Sequence, residues 1–367
     1  MNEKKLALLK LLLVGDIGPA RFANLMRTFG SAEAVLSASR LALENVDNIG
    51  SKIAHAIKVA EKSDDAIKEV DKARKNNVDI VFYNDERYPA PLKNCPDKPL
   101  VLYIKGRLGP KDFSGISIVG SRNITNYGKS TAYEFASYFA KRGITIISGL
   151  ARGVDSQAHS AALEHEGRTV AVLGNGLLIK YPPENEKLQE QIAQKGVLVS
   201  EYPLSQPPDK SSFPRRNRII AALSRAVLVI EASKTSGALI TARYAAEYGQ
   251  DVFAVPGNIY SRYSEGTNEL IQKGAFLALS PQDMARQLNL GIENVELDAK
   301  TKAELEALGT KEKLILEVIE KNPSGIALDV IIAKTQIDMG ALSQIILDLQ
   351  LGGFIDSLPG QIFIRKR

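Results

Sequence analysis

ISIVGSRN, residues 116–123, is the stretch that decides the fold, because a short apolar run ends in a glycine followed by polar donors. The same order returns in ITIISGLARGVD, residues 144–155, and in VAVLGNG, residues 170–176. Strands that are apolar on both faces are typical of a parallel sheet with helices on each side. These three stretches therefore predict an α/β fold with a parallel sheet.

Apolar runs continue to alternate with helical patterns on either side of these stretches. Helical patterns fit between the runs, at Tyr127–Lys141 and Ala238–Tyr248, and this alternation is typical of a doubly wound sheet. We therefore predict a Rossmann-like core over residues 76–288. The further apolar runs are Ile80–Tyr83, Val197–Val199, Val227–Ile230 and Val252–Val255.

Residues 1–75 have helical periodicity and predict a separate helical domain of the SAM or helix-hairpin-helix type. Two similar breaks, Gly15–Gly18 and Val46–Gly50, have the outline of helix-hairpin-helix turns. The amides of such turns can approach a DNA phosphate. A plain helical hairpin explains the same pattern, so both interpretations stay open.

The carboxyl-terminal part predicts a linker at 289–310 and a winged-helix-like domain at 311–367. Its third helix, ending at Leu351, contains no lysine or arginine, whereas a helix that reads the major groove needs basic or amide side chains. We therefore favour a protein-contact module. A phosphate contact by the basic residues at the end of the sequence, Arg365–Arg367, stays open as an alternative.

Composition sets only broad limits on function. The 367 residues carry a formal net charge of +5, which permits a polyanionic partner but does not require one. Cys95 is the only cysteine, so an internal disulfide is excluded. The first apolar run is too short to span a bilayer and has no signal-peptide cleavage pattern. We therefore expect a cytoplasmic protein without a membrane partner.

Glycine and polar residues follow one predicted strand after another, and the carboxyl ends of parallel strands form the usual ligand edge. Glycine lets backbone amides approach an anion closely, although many strand-to-helix turns need glycine for structural reasons alone. Neither a dinucleotide fingerprint nor a phosphate loop of ATPases is present, so ATP hydrolysis is not expected. The candidate anion-binding residues here are Gly120, Ser121, Arg122, Gly149, Arg152, Ser236 and Gly237.

A basic stretch from Lys210 to Arg225 contains five cations and no acidic residue. Arginine can bind phosphate bidentately, and Phe213 inside the stretch can stack on an unpaired base. The alternative is a solvated helix start with Phe213 in the core, and Arg218 is a candidate for a structural role. The candidate binding residues here are Lys210, Phe213, Arg215, Arg216 and Asn217.

Catalytic groups are sparse. His159 has no cysteine or paired carboxylate at metal-ligand spacing, so we expect no metal and no cofactor. Asp155 and Glu231 follow strands, where each can contact a ribose or cap a helix. We assign no nucleophile and no general base, and we do not expect an enzyme.

Together these segments resemble the DprA/Smf family across the whole core. The segments that carry the resemblance are VGSR at 119–122, SGLARGVD at 148–155, VLGNG at 172–176, SEYP at 200–203, FPRRNRIIA at 213–221, SGALITA at 236–242 and VFAVPG at 252–257. The helical front and the winged-helix back also fit members of that family. Leu178 departs from the pattern, where a polar residue is expected.

The resemblance implies a single-stranded-DNA-binding protein without known catalysis. Members act as dimers and help to load the RecA recombinase onto single strands during natural transformation. By similarity, the pocket would involve Ser121, Arg122, Phe213 and Asn217 with Lys210, and Lys180 is a further candidate contact. Two alternatives remain: a nucleotide-binding enzyme or sensor of a related Rossmann-like family, and a transcription factor acting through its winged helix.

Overall fold

The computed structural model describes residues 1–290, 308–322, 325–358 and 360–365. The chain forms two compact units, Met1–Asn289 and Leu290–Arg367. Most of the predicted linker at 289–310 lies outside the described residues, as do Lys366 and Arg367 of the predicted basic end.

Six helices open the first unit. Side-chain caps at Asn2, Ser31 and Ser39 start three of them, whereas Gly18 and Gly50 start α2 and α5 without a side-chain cap. These two uncapped starts are the two turns predicted from the sequence. The helices are α1 (Glu3–Leu12), α2 (Pro19–Phe29), α3 (Ala32–Ser37), α4 (Arg40–Glu44), α5 (Ser51–Lys62) and α6 (Asp65–Lys75).

Arg21 of α2 holds the two turns side by side. Its guanidinium donates to the carbonyl of Asp16 at 2.7 Å and to the carbonyl of Asn48 at 2.9 Å. One side chain therefore fixes the geometry of both hairpins.

A nine-stranded sheet follows, in the order β1-β2-β6-β5-β4-β3-β7-β8-β9. Eight strands run in one direction, and β2 alone runs against them because it pairs antiparallel with both β1 and β6. The strands are β1 (Val78–Phe82), β2 (Val101–Lys105), β3 (Ile116–Val119), β4 (Ile146–Ser148), β5 (Thr169–Leu173), β6 (Val197–Ser200), β7 (Ala226–Val229), β8 (Asp251–Ala254) and β9 (Phe276–Leu277).

Among the described strands, β2 is the one exception to the parallel direction of the predicted sheet. Antiparallel neighbours need no crossover helix, so the proline-rich connection between β1 and β2 can return the chain directly. That connection leaves no βα rhythm in the sequence, which is why β2 was not predicted. The predicted parallel core from β3 to β8 is confirmed.

Helices cover both faces of the sheet. Alternate residues of a strand point to opposite faces, and β5 places Ala171 and Leu173 in one apolar cluster and Val170 and Val172 in the other. The second cluster includes α11 and α12, whereas the first includes α9 and α10. The helices are α7 (Ala90–Lys93), α8 (Asn126–Lys141), α9 (Val154–Glu164), α10 (Glu186–Lys195), α11 (Ser212–Leu223), α12 (Ala238–Glu247), α13 (Glu265–Gln272) and α14 (Pro281–Gln287).

The amino-terminal helices share a core with the sheet. Their buried leucines belong to the same apolar cluster as Phe82 and Tyr103 of the antiparallel strands. Glu69 of α6 is buried and accepts a hydrogen bond from the backbone N–H of Leu204 at 2.6 Å. The helices and the α/β core therefore pack as one unit, and the boundary between 75 and 76 stays a prediction.

The second unit is a winged helix, as predicted. Its three-stranded sheet has the order β10-β12-β11 and packs with three helices around buried residues such as Ile315, Ile331 and Leu342. The elements are α15 (Thr310–Glu320), β10 (Ile326–Ala327), α16 (Leu328–Thr335), α17 (Met339–Leu351), β11 (Ile355–Leu358) and β12 (Ile362–Arg365). Among the described residues no single helix is long and apolar enough to cross a membrane, and one bent pair, α16 with α17, passes by length and composition only.

Candidate nucleic-acid interface

A pocket lies at the carboxyl edge of the parallel strands. The loops after β3, β4 and β5 meet there with the start of α11, as expected for strands that end on one edge. Five of the residues predicted from the sequence line it. The lining comprises Arg122, Gly149, Leu150, Ala151, Arg152, Leu173, Gly174, Asn175, Tyr181, Pro182, Phe213 and Arg216.

Two glycines bring the first two loops together. A side chain at Gly120 would lie 2.6 Å from Cγ2 of Val154, and Gly153 has a positive φ of 76°. The resulting close approach lets the backbone N–H of Val154 donate to the carbonyl of Ser121 at 3.2 Å. Only glycine permits this arrangement, which places Arg122 beside the start of α9.

Phe213 forms an aromatic stack at the edge of the pocket. Its ring centroid lies 5.5 Å from that of Tyr181, with 27° between the planes, and Cζ of Arg122 lies over the Phe213 ring at 5.3 Å from its centroid. A side chain at Gly174 would come within 2.7 Å of the Phe213 ring, so glycine is required below it. Both rings are partly exposed. The three side chains form a surface on which a base can stack.

Tyr181 was not among the predicted site residues. It appears in the sequence only as part of a Tyr-Pro step, and its partner Phe213 is 32 positions away. The chain folds between them through β6. The one available signal was an aromatic residue directly after the candidate Lys180, and the stack itself depends on tertiary structure.

Arg216 lies below the surface, contrary to the expected phosphate contact from an exposed side chain. It is 4% exposed, and Nη1 donates to the carbonyl of Gly149 at 2.6 Å and to the carbonyl of Val172. Burial lowers the pKa of Arg216 to about 10, and the nearby Asp155 opposes that shift. The side chain therefore fixes the strand ends and forms the floor of the pocket.

Three groups that were considered for chemistry are structural. Asp155 is buried and accepts hydrogen bonds from the N–H groups of Gly149 and Ala151, at 3.1 and 3.3 Å. Burial raises the pKa of Asp155, and Arg216 opposes the shift. His159 is fully buried, 2.6 Å from the hydroxyl of Thr169. Burial, and then Arg216, lower the pKa of His159 to about 3.

Glu231, the third of these groups, is also buried. Its carboxylate accepts hydrogen bonds from the backbone N–H and the hydroxyl of Thr125, at 3.0 and 2.5 Å. Thr125 caps α8, so Glu231 ties the end of β7 to the start of that helix. The ribose contact considered from the sequence does not fit a carboxylate that is already paired in this way.

The exposed cations differ in their partners. Arg152 pairs with Glu184, Lys180 pairs with Glu190 at 3.0 Å, and Arg215 lies 3.6 Å from Glu201. By contrast, Arg122 and Lys210 are exposed, and neither has a carboxylate within 4 Å in the part of the chain that the structure describes. These two cations are the ones that a phosphate can approach without displacing an acid.

Arg218 takes the structural role that the sequence left open. Its side chain is 3% exposed and forms two hydrogen bonds of 2.7 Å with the carboxylate of Glu201. It also donates to the carbonyl of Asp97 at 2.8 Å. This buried network anchors α11 below its exposed first turn.

The remaining predicted residues lie around the pocket. The hydroxyl of Ser121 closes a turn with the backbone of Asn123 at 2.8 Å. Asn217 donates to the carbonyl of Gly237 at 3.1 Å, and the hydroxyl of Ser236 accepts from the next helix at 3.3 Å. The structure therefore places Ser236 and Gly237 in the neighbouring loop after β7, joined to α11 through Asn217.

Three family models match the chain. The model of DNA recombination-mediator protein A matches residues 79–289, more than half of the chain. The chain belongs to the DprA/Smf family. The DprA winged helix domain matches residues 299–361, and the DprA-like N-terminal HHH domain matches residues 2–42. The resemblance found in the sequence is thereby confirmed, and it places the chain among DNA-processing proteins.

Curated relatives cover both the core and the full length. Protein Smf of Synechocystis sp. is 34% identical over an alignment of 386 positions, which covers 96% of this chain and 96% of that protein. DNA processing protein DprA of Streptococcus pneumoniae is 44% identical over 200 residues, or 54% of this chain and 71% of that protein.

Two solved structures share the fold. DNA processing protein A from Streptococcus pneumoniae matches with a TM-score of 0.66 and 33% identity, covering 78% of this chain and 98% of that one. DNA processing protein A from Helicobacter pylori, solved to explain its single-stranded DNA binding mode, matches with a TM-score of 0.53 and 33% identity. That match covers 58% of this chain and 96% of the other.

Proposed function

We propose that this family member binds single-stranded DNA at the pocket between the β3, β4 and β5 loops. The observation that carries the proposal is the Phe213–Tyr181 stack beside the unpaired cation Arg122. Sequence-tolerant binding of a single strand combines cations that follow the backbone with aromatic rings that stack on bases. Both elements meet here, because Cζ of Arg122 lies 5.3 Å from the centroid of the Phe213 ring.

The phosphate contacts fall to Arg122 and Lys210. Arg122 touches Phe213 and forms no ion pair with any described residue, so its guanidinium can turn to a phosphate without breaking a salt bridge. Lys210 stands two residues before α11, which begins at Ser212. A strand lying across the helix start thus meets a cation from the loop after β3 and a cation from the residues before α11.

The base contact favours an unpaired strand. Phe213 lies against Gly174 and Tyr181, so a base must enter the pocket edge to stack on the ring. Paired bases are already stacked and enclosed by the backbones of a duplex, whereas unpaired bases can be splayed onto aromatic rings. The same geometry gives a mononucleotide only one phosphate contact, which disfavours the nucleotide-sensor alternative.

The family role completes the proposal. We infer that the chain assists the loading of RecA onto single strands in natural transformation, as a homodimer in the cytoplasm and without catalysis of its own. Support comes from membership of the DprA/Smf family and from Asp155 and Glu231, whose buried carboxylates are already hydrogen-bonded to Gly149, Ala151 and Thr125. Addition of the chain to a RecA filament assay on coated single strands tests the loading step.

The binding proposal is tested with fluorescent single-stranded and duplex oligonucleotides of equal length across a salt series. We expect preference for the single strand and a steep loss of affinity with salt. Phe213→Ala and Tyr181→Ala should each weaken binding by about 1–3 kcal/mol, as expected when a stacking ring is removed. Leu41→Ala, at a side chain that is 71% exposed on the helical domain, is the control.

Two results would reject the binding proposal. Equal affinity for single strand and duplex would show that binding does not depend on a base stacking on Phe213. Stronger competition by a mononucleotide than by an oligonucleotide would favour the alternative of a nucleotide sensor. If Phe213→Ala lowers stability but not affinity, the ring serves the core instead.

A further inference from the structure

A second loop on the same edge carries aromatic and basic side chains without an acid. The loop runs from Pro256 to Ser264, with the sequence PGNIYSRYS, and follows β8 directly. Because β8 is parallel to β3, β4 and β5, the loop leaves the sheet on the edge that holds the pocket. Pro256 and Gly257 end one of the segments that carry the family resemblance, whereas the residues from Asn258 to Ser264 were not singled out from the sequence.

The tip of this loop exposes its largest side chains. Tyr260 is 90% exposed and Ile259 is 75% exposed. A tyrosine that buries almost none of its ring contributes little to folding, and its aromatic face is open to a ligand. Arg262 is exposed as well, with Cζ over the ring of Tyr263 at 5.0 Å from its centroid.

Hydrogen bonds nevertheless hold the backbone of this loop in place. Asn268 of α13 holds Gly257 from both sides, since its amide donates to the Gly257 carbonyl at 3.0 Å and its oxygen accepts from the Gly257 N–H at 3.2 Å. At the tip, Asn258 accepts from the N–H of Tyr260 at 2.9 Å. An aromatic side chain on a braced loop is pre-organised for contact and loses little conformational freedom on binding.

The loop is continuous with the pocket edge. Tyr127, in the first turn of α8 and five residues after Arg122, donates its hydroxyl to the carbonyl of Pro256 at 2.9 Å. At the other end of the loop, the carbonyl of Tyr263 accepts from the N–H of Ala232, just beyond β7, at 2.8 Å. From β5 to β8 the edge crosses four strand spacings, about 19 Å at ~4.8 Å each.

Charge along this edge suits an anionic strand. Lys234, in the loop between the two sites, and Arg262 are exposed, and neither has a carboxylate oxygen within 4 Å among the described residues. The nearest acid in sequence, Glu265, is half-buried at the start of α13. Cations alternating with exposed aromatic rings fit single-stranded nucleic acid better than an apolar protein surface.

We propose that the β8 loop is a second contact site for the same DNA strand, with Tyr260 stacking on an unpaired base four strand spacings, about 19 Å, from the β5 side of the pocket. Lys234 and Arg262 hold the phosphates between the two sites. This inference rests on the proposed function, because it extends the path of the strand that the pocket binds.

The test measures equilibrium binding of the full chain to oligo-dT of two lengths, about 16 and about 4 nucleotides, which bracket known single-strand site sizes. Tyr260→Ala should weaken binding of the long strand by about tenfold and leave the short one within about twofold, since the short strand occupies the pocket alone. Tyr260→Phe keeps the ring and should bind the long strand like the wild type.

Arg262→Ala tests the phosphate contact. It should reduce the slope of log affinity against log salt for the long strand by about 0.7, the value for one phosphate on a single strand. Lys195→Ala is the matched control, because Lys195 is an exposed cation directly before β6, at the amino edge of the sheet. Its slope should equal that of the wild type.

The outcomes separate this inference from the proposed function. If the wild type binds both strands and Tyr260→Ala binds the long one unchanged, the second site is overturned and the pocket stands. The second site also fails if Tyr260→Ala weakens both lengths equally. If the wild type binds neither strand, both proposals fail. Should Tyr260→Ala lose only a protein partner in a pull-down, the loop is a protein surface and the inference is rejected.

Discussion

The basic stretch from Lys210 to Arg225 supplies two regions of the molecule that behave in opposite ways. On the exposed side, Lys210 and Phe213 stand at the start of α11 beside the pocket. On the buried side, Arg216 and Arg218 are each less than 5% exposed and bind backbone carbonyls and a carboxylate. Side chains only three to eight residues apart therefore serve binding in one case and folding in the other.

The difference shows that a count of cations overstates the charge that a ligand meets. Arg218 is neutralised by Glu201, and Arg215 on the surface lies near the same carboxylate. Hydrogen bonds offset the cost of burying a charged guanidinium, and a guanidinium held in this way has little freedom left for a ligand. Substitutions on the two sides should accordingly separate stability from affinity.

The largest effect is expected from Arg218→Met. Removing the guanidinium takes both 2.7 Å hydrogen bonds from the buried carboxylate of Glu201 and leaves it only Arg215 at 3.6 Å. Breaking a buried pair in this way costs about 3–5 kcal/mol. Urea denaturation measures the change in the free energy of unfolding. Arg243→Ala, at an exposed pair with Glu247 in α12, is the control and should change it by less than about 1 kcal/mol. A loss for Arg218→Met no larger than the control would mean that the network does not anchor α11.

On the exposed side, Arg122→Ala should weaken single-strand binding by about 1–3 kcal/mol, because a charge-assisted contact to phosphate is lost. The free energy of unfolding should change little, since the exposed guanidinium forms no ion pair with any described residue and its cation–π contact is with the partly exposed Phe213 ring. Fluorescence titration gives the affinity, and Lys195→Ala should bind like the wild type. Unchanged affinity in a folded Arg122→Ala protein would remove this residue from the site.

The buried side should also show a pH dependence through His159. Its pKa is lowered to about 3 in the folded chain by burial, so between that value and the ordinary pKa of about 6.5 the unfolded chain binds the extra proton. Stability is therefore complete above pH ~6.5 and should fall by about 1.4 kcal/mol for each pH unit below it. Urea denaturation at several pH values should show a shallower slope for His159→Gln. Parallel slopes would contradict the burial of a neutral imidazole.

The smallest effect is expected from Lys180→Ala. This candidate contact is already paired with Glu190 at 3.0 Å, and surface pairs contribute about 0–1 kcal/mol. We expect affinity for a single strand to change by less than about threefold, whereas Glu190→Gln, which frees the lysine, should strengthen binding slightly. A loss of affinity comparable to that of Arg122→Ala would show that Lys180 leaves its partner to bind phosphate.

Much of the fold could be predicted because its signals are local. The apolar runs of β3 to β8 matched the observed strands to within two residues at either end, and α17 ends at Leu351 as expected. The antiparallel strand β2 was not predicted. Nothing in the sequence of Val101–Lys105 indicates in which direction this strand runs. Strand direction depends on the path of the connection, which periodicity does not record.

The site was predictable in outline and not in detail. Glycine after successive strands correctly located the pocket edge, because parallel strands end together. Whether each cation is free or forms an ion pair could not be predicted. The carboxylates of Glu184, Glu190 and Glu201 lie 10 to 32 residues in the sequence from the cations that they pair with. The stack of Tyr181 on Phe213 was not predicted either, because these two residues are also far apart in the sequence.

The sequence by itself determined the α/β core, the winged helix and the family. The signals for all three are local, because apolar runs, helical periodicity and long motifs each lie in continuous stretches of the chain. Only the tertiary structure decided which arginines are free, where Phe213 finds its stacking partner and that Tyr260 stands exposed on the pocket's own edge. Burial and pairing are properties of neighbours in space. Residues distant in the chain become such neighbours only when the sheet forms.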